Sequence, residues 1–298
     1  MFGINKIIPV ESNYSFMDYR KIFIIFSFIL ILCSILLLFF KGLNLGIDFK
    51  GGTLIEVNTK NSDIGELRSI LSPEFNDVSL QEFGNSETII IRLQNESNKE
   101  SIETVNQVKI LINDKVSEFR RSEFVGPTIS SELLWKGLQA ITFSLLAILL
   151  YIWIRFEWQF GFGAVVALTH DVIFTLGVLS LFNIDFSLSS IAAVLTIAGY
   201  SINDSVVIFD RIRENLRKYK RLELSDLFNL SINNTLSRTV MTSLTTLIAL
   251  FSLFIFGGEV IKPFAFAMII GVIIGTYSSI FIAVPTLLIF KFRPQEDE

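Results

Sequence analysis

Residues Ile22 to Phe40 form an uncharged run of 19 residues. A helix of that length crosses a hydrocarbon core of about 30 Å, and lipid leaves the backbone no other way to satisfy its own hydrogen bonds. Five further apolar runs follow, near 137–154, 160–182, 187–209, 239–256 and 263–290. The last is long enough to be tilted, to extend past the bilayer, or to bend near Pro285. Charged residues make up only 18% of the chain against 51% hydrophobic, below the roughly one-quarter charged of soluble domains. The chain is therefore expected to be a membrane protein with six transmembrane α-helices. The basic start (Lys6, Arg20, Lys21) resembles a signal peptide. The apolar run is longer than a signal core, however, and ends Phe39-Phe40-Lys41-Gly42 without a small-residue cleavage site, so an uncleaved anchor is expected.

Lys and Arg in short loops set the orientation. The segment 211–221 carries Arg211, Arg213, Arg217, Lys218, Lys220 and Arg221, and six spans place it on the same side as Arg155, Lys291 and Arg293. The opposite short loops, 183–186 and 257–262, hold Lys262 alone. The expected organisation is a cytoplasmic tail 1–21, span 1 at 22–40 and an extracytoplasmic α+β domain at 41–132. Spans 2–6 then occupy 133–290 with a basic cytoplasmic loop at 210–237, and a cytoplasmic tail takes up 291–298.

Within the domain a β-rich stretch runs from near Leu43 to Val57. Ser62 or Asp63 can cap a helix over 64–71, with Pro73 beyond its end. Val78–Phe83 and Thr88–Leu93 read as strands around a Gly84-Asn85 turn, 98–115 as a helix, and Ser117–Val125 as a last strand. The order β-α-β-β-α-β suits a ferredoxin-like domain. The domain has no His, Cys or Gly-rich phosphate loop, so no catalysis is expected there. The net charge of −4 does not favour nucleic acid as a partner. One Cys, Cys33, excludes an internal disulfide, and one His argues against a His-based metal site.

Intramembrane ionisable residues are costly and point to function. Asp204 lies near the cytoplasmic end of span 4, and Tyr200 and Ser201, four and three residues earlier, are placed to hydrogen-bond its carboxylate; Asn203 adjoins it. Asp204 falls about 25 Å and Arg238 about 27 Å along their helices from the same membrane face, at 1.5 Å per residue. The two can therefore pair, or Arg238 can snorkel to the interface. His170 and Asp171 sit near the middle of span 3. Being about 100° apart on the helix, they are not expected to face one site squarely. They read either as a proton relay or as a helix contact. Gly271 and Gly275, with Thr276, Ser278 and Ser279, and the Thr242, Ser243, Thr245, Thr246 group of span 5 suggest close helix packing.

Five ordered blocks then resemble the SecD/SecF family of the resistance–nodulation–division superfamily. They are Leu45-Gly46-Ile47-Asp48-Phe49-Lys50-Gly51-Gly52; Phe124-Val125-Gly126-Pro127 with Glu132-Leu133; Gly199 to Asp204 with Asp210 to Asn215; Ser237-Arg238-Thr239 with Thr242-Ser243 and Thr245-Thr246; and Phe266-Ala267-Met268 through Gly275 to Ser279. The resemblance implies a subunit that pairs with SecD into twelve spans beside the SecYEG channel and YajC in the bacterial inner membrane. There it uses the proton-motive force to draw out unfolded secretory polypeptides. It carries the coupling Asp over to Asp204 and its Arg to Arg238, with the proton as coupling ion, no cofactor and no bond-making enzymology. An exporter subunit for small molecules and a membrane-bound sensory or structural protein are the rival readings.

Overall fold

A computed structural model describes residues 12–60, 63–75, 78–83, 85–93, 98–258 and 261–290. In chain order, a short 3-10 turn Phe16–Tyr19 leads into α1 (Arg20–Phe40), followed by β1 (Asn44–Leu45), α2 (Ile47–Lys50), β2 (Gly52–Thr59), α3 (Ile64–Leu71), β3 (Val78–Phe83), β4 (Asn85–Leu93), α4 (Asn98–Ile112) and β5 (Val116–Val125). Then come α5 (Pro127–Arg155), α6 (Trp158–Leu181), β6 (Asp185–Phe186), α7 (Leu188–Lys218), α8 (Leu224–Phe256) and α9 (Lys262–Ser278), a π-helical segment at Ser279–Ala283, and α10 (Val284–Ile289). Six helical stretches among the described residues are long and apolar enough to cross a membrane. The chain separates into two compact units.

The helical unit comprises residues 1–44, 140–185 and 189–298. In their most apolar windows α6, α7 and the last span are 50%, 56% and 72% buried, against 11% for α1 and 17% for α8. Spans 3, 4 and 6 therefore make the centre, and any polar group they carry must find its partners inside. Small residues set how near these helices come. A side chain at Gly177 of α6 would strike Ser34 of α1, whose Cα lies 2.8 Å from the position a Cβ would take. One at Gly163 would meet the Ala283 carbonyl at 2.8 Å. The Gly271–Gly275 step of α9 faces Ile197 and Ser201 of α7, which share the same four-residue spacing. Phe160, Phe209 and Phe228 are fully buried together at the Arg155 end of this unit.

Two expectations change here. The basic segment 210–237 is mostly helix: α7 runs on to Lys218, α8 begins at Leu224, and only 219–223 connect them. Apolar runs mark only the part of a helix that can lie in lipid, and Arg, Lys, Leu and Glu are good helix formers beyond it. The last span departs from α-geometry at Ser279, six residues before Pro285. Proline has no N–H to offer the carbonyl four residues back, so the hydrogen-bond ladder slips over the preceding turn rather than at the proline itself.

The α/β unit, residues 45–139 with 186–188, holds a four-stranded antiparallel sheet in the order β3-β4-β2-β5. The central β2 pairs with β4 from Thr53↔Leu93 to Asn58↔Thr88 and with β5 on its other edge. Ile55, Val57, Ile89, Ile91 and Leu93 point to the face covered by Leu67 and Leu71 of α3 and Val108 and Ile112 of α4. Leu54 and Ile90 point the other way, against Ile47. Both faces of β2 are thus covered, which is why its alternation reads weakly in the sequence. One helical turn, α2, interrupts the β-rich stretch from Leu43, and Gly51 and Gly52 follow it with φ of 74° and 105°, a region glycine enters freely. Asp63 stands at the cap of α3 without a side-chain cap bond, and Ser62 lies outside the described residues. Of the turn expected at Gly84-Asn85, Gly84 is likewise outside them, and Asn85 already belongs to β4. α4 ends at Ile112, short of 115, and the last helix to leave the domain starts at Pro127, inside the range assigned to the domain.

Ile91 is fully buried at the middle of this core. Ile91→Ala is expected to destabilise the α/β unit by about 2–5 kcal/mol. Hydrogen exchange of the β4 amides in the full chain measures this as lost protection.

Candidate functional site

Among the described residues two carboxylates lie buried in the helical unit, Asp171 at 0% and Asp204 at 7% exposure. Each is held by hydroxyls from other helices. Asp204 Oδ1 accepts from Thr239 of α8 at 2.6 Å, and its Oδ2 accepts from Ser279 at 2.6 Å. Asp171 Oδ2 accepts from Ser201 of α7 at 2.5 Å and from Ser278 of α9 at 2.7 Å, and its Oδ1 lies 3.0 Å from His170 Nδ1. The sites interlock. Ser201 and Asp204 are one turn apart on α7, so they share a side of it. Ser278 and Ser279 are adjacent on the last span and turn to different helices.

Several sequence expectations are corrected by this geometry. Tyr200 and Ser201 do not bond the Asp204 carboxylate. Tyr200 donates to Ser243 of α8 at 3.2 Å, which in turn bonds Thr276 at 2.7 Å, and Ser201 belongs to Asp171. Three residues on a helix advance 300°, leaving Ser201 about 60° round from Asp204 and toward α6. Asn203 is exposed. Among the described residues no ion pair joins Arg238 to Asp204. Arg238 is exposed, and its neighbour Thr239 bonds the carboxylate instead. That bond puts Arg238, the residue before Thr239, at the level of Asp204. His170 and Asp171, set about 100° apart on the helix, nevertheless touch, because the two side chains curl toward each other. Among the described residues His170 Nε2 is buried without a hydrogen-bond partner, and the ring lines an apolar cavity of about 490 Å³ with Ile24, Phe28 and Ile173.

Sequence reasoning missed the donors. Ser278 and Ser279 read there as packing residues and Thr239 only as the neighbour of Arg238, and hydroxyls repeat too often in these spans for spacing to single out the ones that face a carboxylate. Among the described residues no group of three or more His, Cys, Asp or Glu is placed to hold a metal ion.

A multi-pass bundle whose inner helices carry two hydroxyl-held carboxylates, with one α/β unit between spans 1 and 2, defines a polytopic membrane protein with an ionisable core. Residues 105–293 match the profile of the protein export membrane protein SecD/SecF C-terminal domain, and residues 36–63 match the SecD/SecF GG motif. The chain belongs to the SecD/SecF family. It is 45% identical over 293 residues to the protein translocase subunit SecF of Rickettsia rickettsii, covering 97% of this chain and 95% of that one. With the SecF of Rickettsia bellii it shares 45% identity over 296 residues, 98% of each. Among solved structures it resembles SecDF of Thermus thermophilus, described as a translocon-associated membrane protein, at 36% identity and a TM-score of 0.87. The match covers 95% of this chain but spans only 39% of that one. A SecDF structure described as a super-membrane-facing form matches at 35% identity and a TM-score of 0.69, over 94% of this chain and 39% of that one.

Proposed function

We propose that the chain is an auxiliary subunit of the Sec protein-export machinery that pairs with SecD and couples the proton-motive force to the passage of secretory polypeptides. The observation that carries this reading is the Asp204 carboxylate, buried in a membrane helix and held by hydroxyls of spans 5 and 6. A carboxylate so placed gains or loses a proton with a change in its hydrogen bonds, and therefore in how three helices pack. One charge moved across 100 mV corresponds to about 2.3 kcal/mol, enough to bias a two-state element. Asp171 and His170 belong to the same network and share the coupling role, with the proton as the coupling ion and no cofactor.

The partner reading rests on a polar stripe. Thr196, Gly199 and Asn203 on α7, and Arg238, Thr242 and Thr245 on α8, are exposed in this chain at helical spacing. Nothing lies within 4 Å of the place a side chain at Gly199 would occupy. Such a stripe is costly against lipid and suits a second bundle packed upon it, which SecD would supply to make twelve spans. The SecYEG channel, YajC and unfolded polypeptides follow as partners from the family reading. The basic residues of 211–221 favour cytoplasmic termini in a bacterial inner membrane and an extracytoplasmic α/β unit. The element order and the strand order of that unit support reading it as ferredoxin-like.

Export by inverted vesicles carrying the partner subunits, at full and at collapsed gradient, tests the proposal. Wild type is expected to export faster under the gradient, and equal rates in the two conditions would sink it. Arg238→Met is expected to reduce the gradient-dependent part without removing it, because the exposed guanidinium lies beside Thr239, which bonds Asp204, and among the described residues makes no ion pair with that carboxylate. A complete loss or no change in the same assay counts against that placement.

A further inference from the structure

Ser278 and Ser279 stand where α9 gives way to the π-helical segment, and both are fully buried. Neighbouring residues on a helix point about 100° apart, so the pair addresses two different helices. Ser278 donates to Asp171 of α6, and Ser279 donates to Asp204 of α7. Each hydroxyl has a second acceptor within reach on its own helix. Ser278 Oγ lies 3.2 Å from the Gly275 carbonyl oxygen, and Ser279 Oγ lies 2.9 Å from that of Thr276. A serine has one hydrogen to give. It can serve the carboxylate or the backbone well, but not both.

From this arrangement we propose that Ser278 and Ser279 are positioning residues that read the charge state of both carboxylates and pass it into the last span. This rests on the proton-coupled reading of Asp204. An ionised carboxylate only accepts, and draws the serine hydrogen outward. A protonated one carries its own O–H, and the serine hydrogen returns to the carbonyl one turn back. The turn from Gly275 to Ser279 then tightens or loosens at the start of the π segment. There Pro285 offers no N–H to the Phe281 carbonyl, so the register of that segment is set by weaker constraints than in a regular helix. Adjacent serines serving two helices make the two carboxylates act on one element. The ionisable groups facing this element are His170 and Asp171 from α6 and Asp204 from α7, with Tyr277 on its own helix; Arg238 of α8 is exposed on another side.

The test compares wild type, the double variant Ser278→Ala/Ser279→Ala, Ser279→Thr in a Ser278 background, Thr235→Ala and Asp204→Asn. The assay is vesicle export at full and at collapsed gradient, with assembly followed by co-purification of the partner subunits. Thr235 is the control, a buried hydroxyl that among the described residues bonds carbonyls of its own helix alone. The double variant is expected to assemble, to keep the gradient-independent rate, and to lose at least about tenfold of the gradient-dependent part, since it deletes two hydrogen bonds to charged groups and one alone is worth about tenfold or more. Ser279→Thr, which keeps the hydroxyl, and Thr235→Ala are expected to stay near wild type. The inference is overturned if the double variant keeps its gradient-dependent part, if it fails to assemble, if both rates fall together, or if Ser279→Thr is as impaired as the double variant. If Asp204→Asn also keeps full gradient dependence, the proton-coupled reading falls and takes this inference with it. If Asp204→Asn loses that dependence and the serine variant does not, this inference alone is wrong.

Discussion

Asp204→Asn is expected to remove the gradient-dependent part of export while the chain still assembles with its partners. The amide matches the carboxylate in shape, so the packing of α7 against α8 and the last span is preserved. What changes is the hydrogen bonding. Both carboxylate oxygens accept hydroxyl hydrogens, from Thr239 and Ser279, each at 2.6 Å. An amide offers one acceptor oxygen and an NH2 group that only donates, so one hydroxyl must turn and accept instead. Mispairing one buried bond is destabilising by about 1–3 kcal/mol, which a bundle with this much buried surface tolerates. The amide cannot ionise at any working pH, however, so no proton cycle passes through it. Export at a collapsed gradient should equal wild type, and export at a full gradient should fall to the same value. Asp171→Asn meets a tighter setting, with no exposure and partners on three sides. There the expected loss of gradient dependence comes with reduced assembly, seen as less partner recovered on co-purification.

Gly177→Val is expected to prevent α1 from docking on α6. The first atom added at this position meets the side chain and the Cα of Ser34, and backbone cannot step aside as a rotamer can. Overpacking a core is destabilising by about 1–3 kcal/mol where side chains yield, and by more where they do not. Gly271→Ala is the informative contrast. The three atoms nearest its added methyl all belong to the Ile197 side chain, so pairing it with Ile197→Ala should recover much of the loss. No single change at Ser34 should rescue Gly177→Val. Accumulation of folded protein in the membrane and its melting temperature in detergent measure both. Equal stability of Gly177→Val and wild type would mean that α1 does not pack where the fold puts it.

The spans, the strand order along the chain and the two carboxylates were legible because each rests on a strong local signal. Uncharged runs of spanning length mark helices, and ionisable residues stand out within them. The partners of those carboxylates were not legible. In a span that is apolar all round, the helical phase facing a neighbour leaves no periodic trace, so Ser201 could be placed on a turn but not assigned between Asp171 and Asp204. Ser278 and Ser279 carried a packing signature identical to that of their neighbours. The link between His170 and Asp171 depends on side-chain torsions that spacing does not encode. The helical extensions through 210–237 were hidden because charge marks the edge of the lipid, not the end of a helix. The π-helical segment left Pro285 as its trace, but the distortion is displaced toward Ser279.

The most direct measurement is proton uptake by proteoliposomes that hold the purified complex, under an imposed potential, with wild type and Asp204→Asn side by side. The account predicts a potential-dependent proton flux in wild type that is absent in Asp204→Asn at equal protein density. An undiminished flux through Asp204→Asn would contradict it and remove Asp204 as the coupling group.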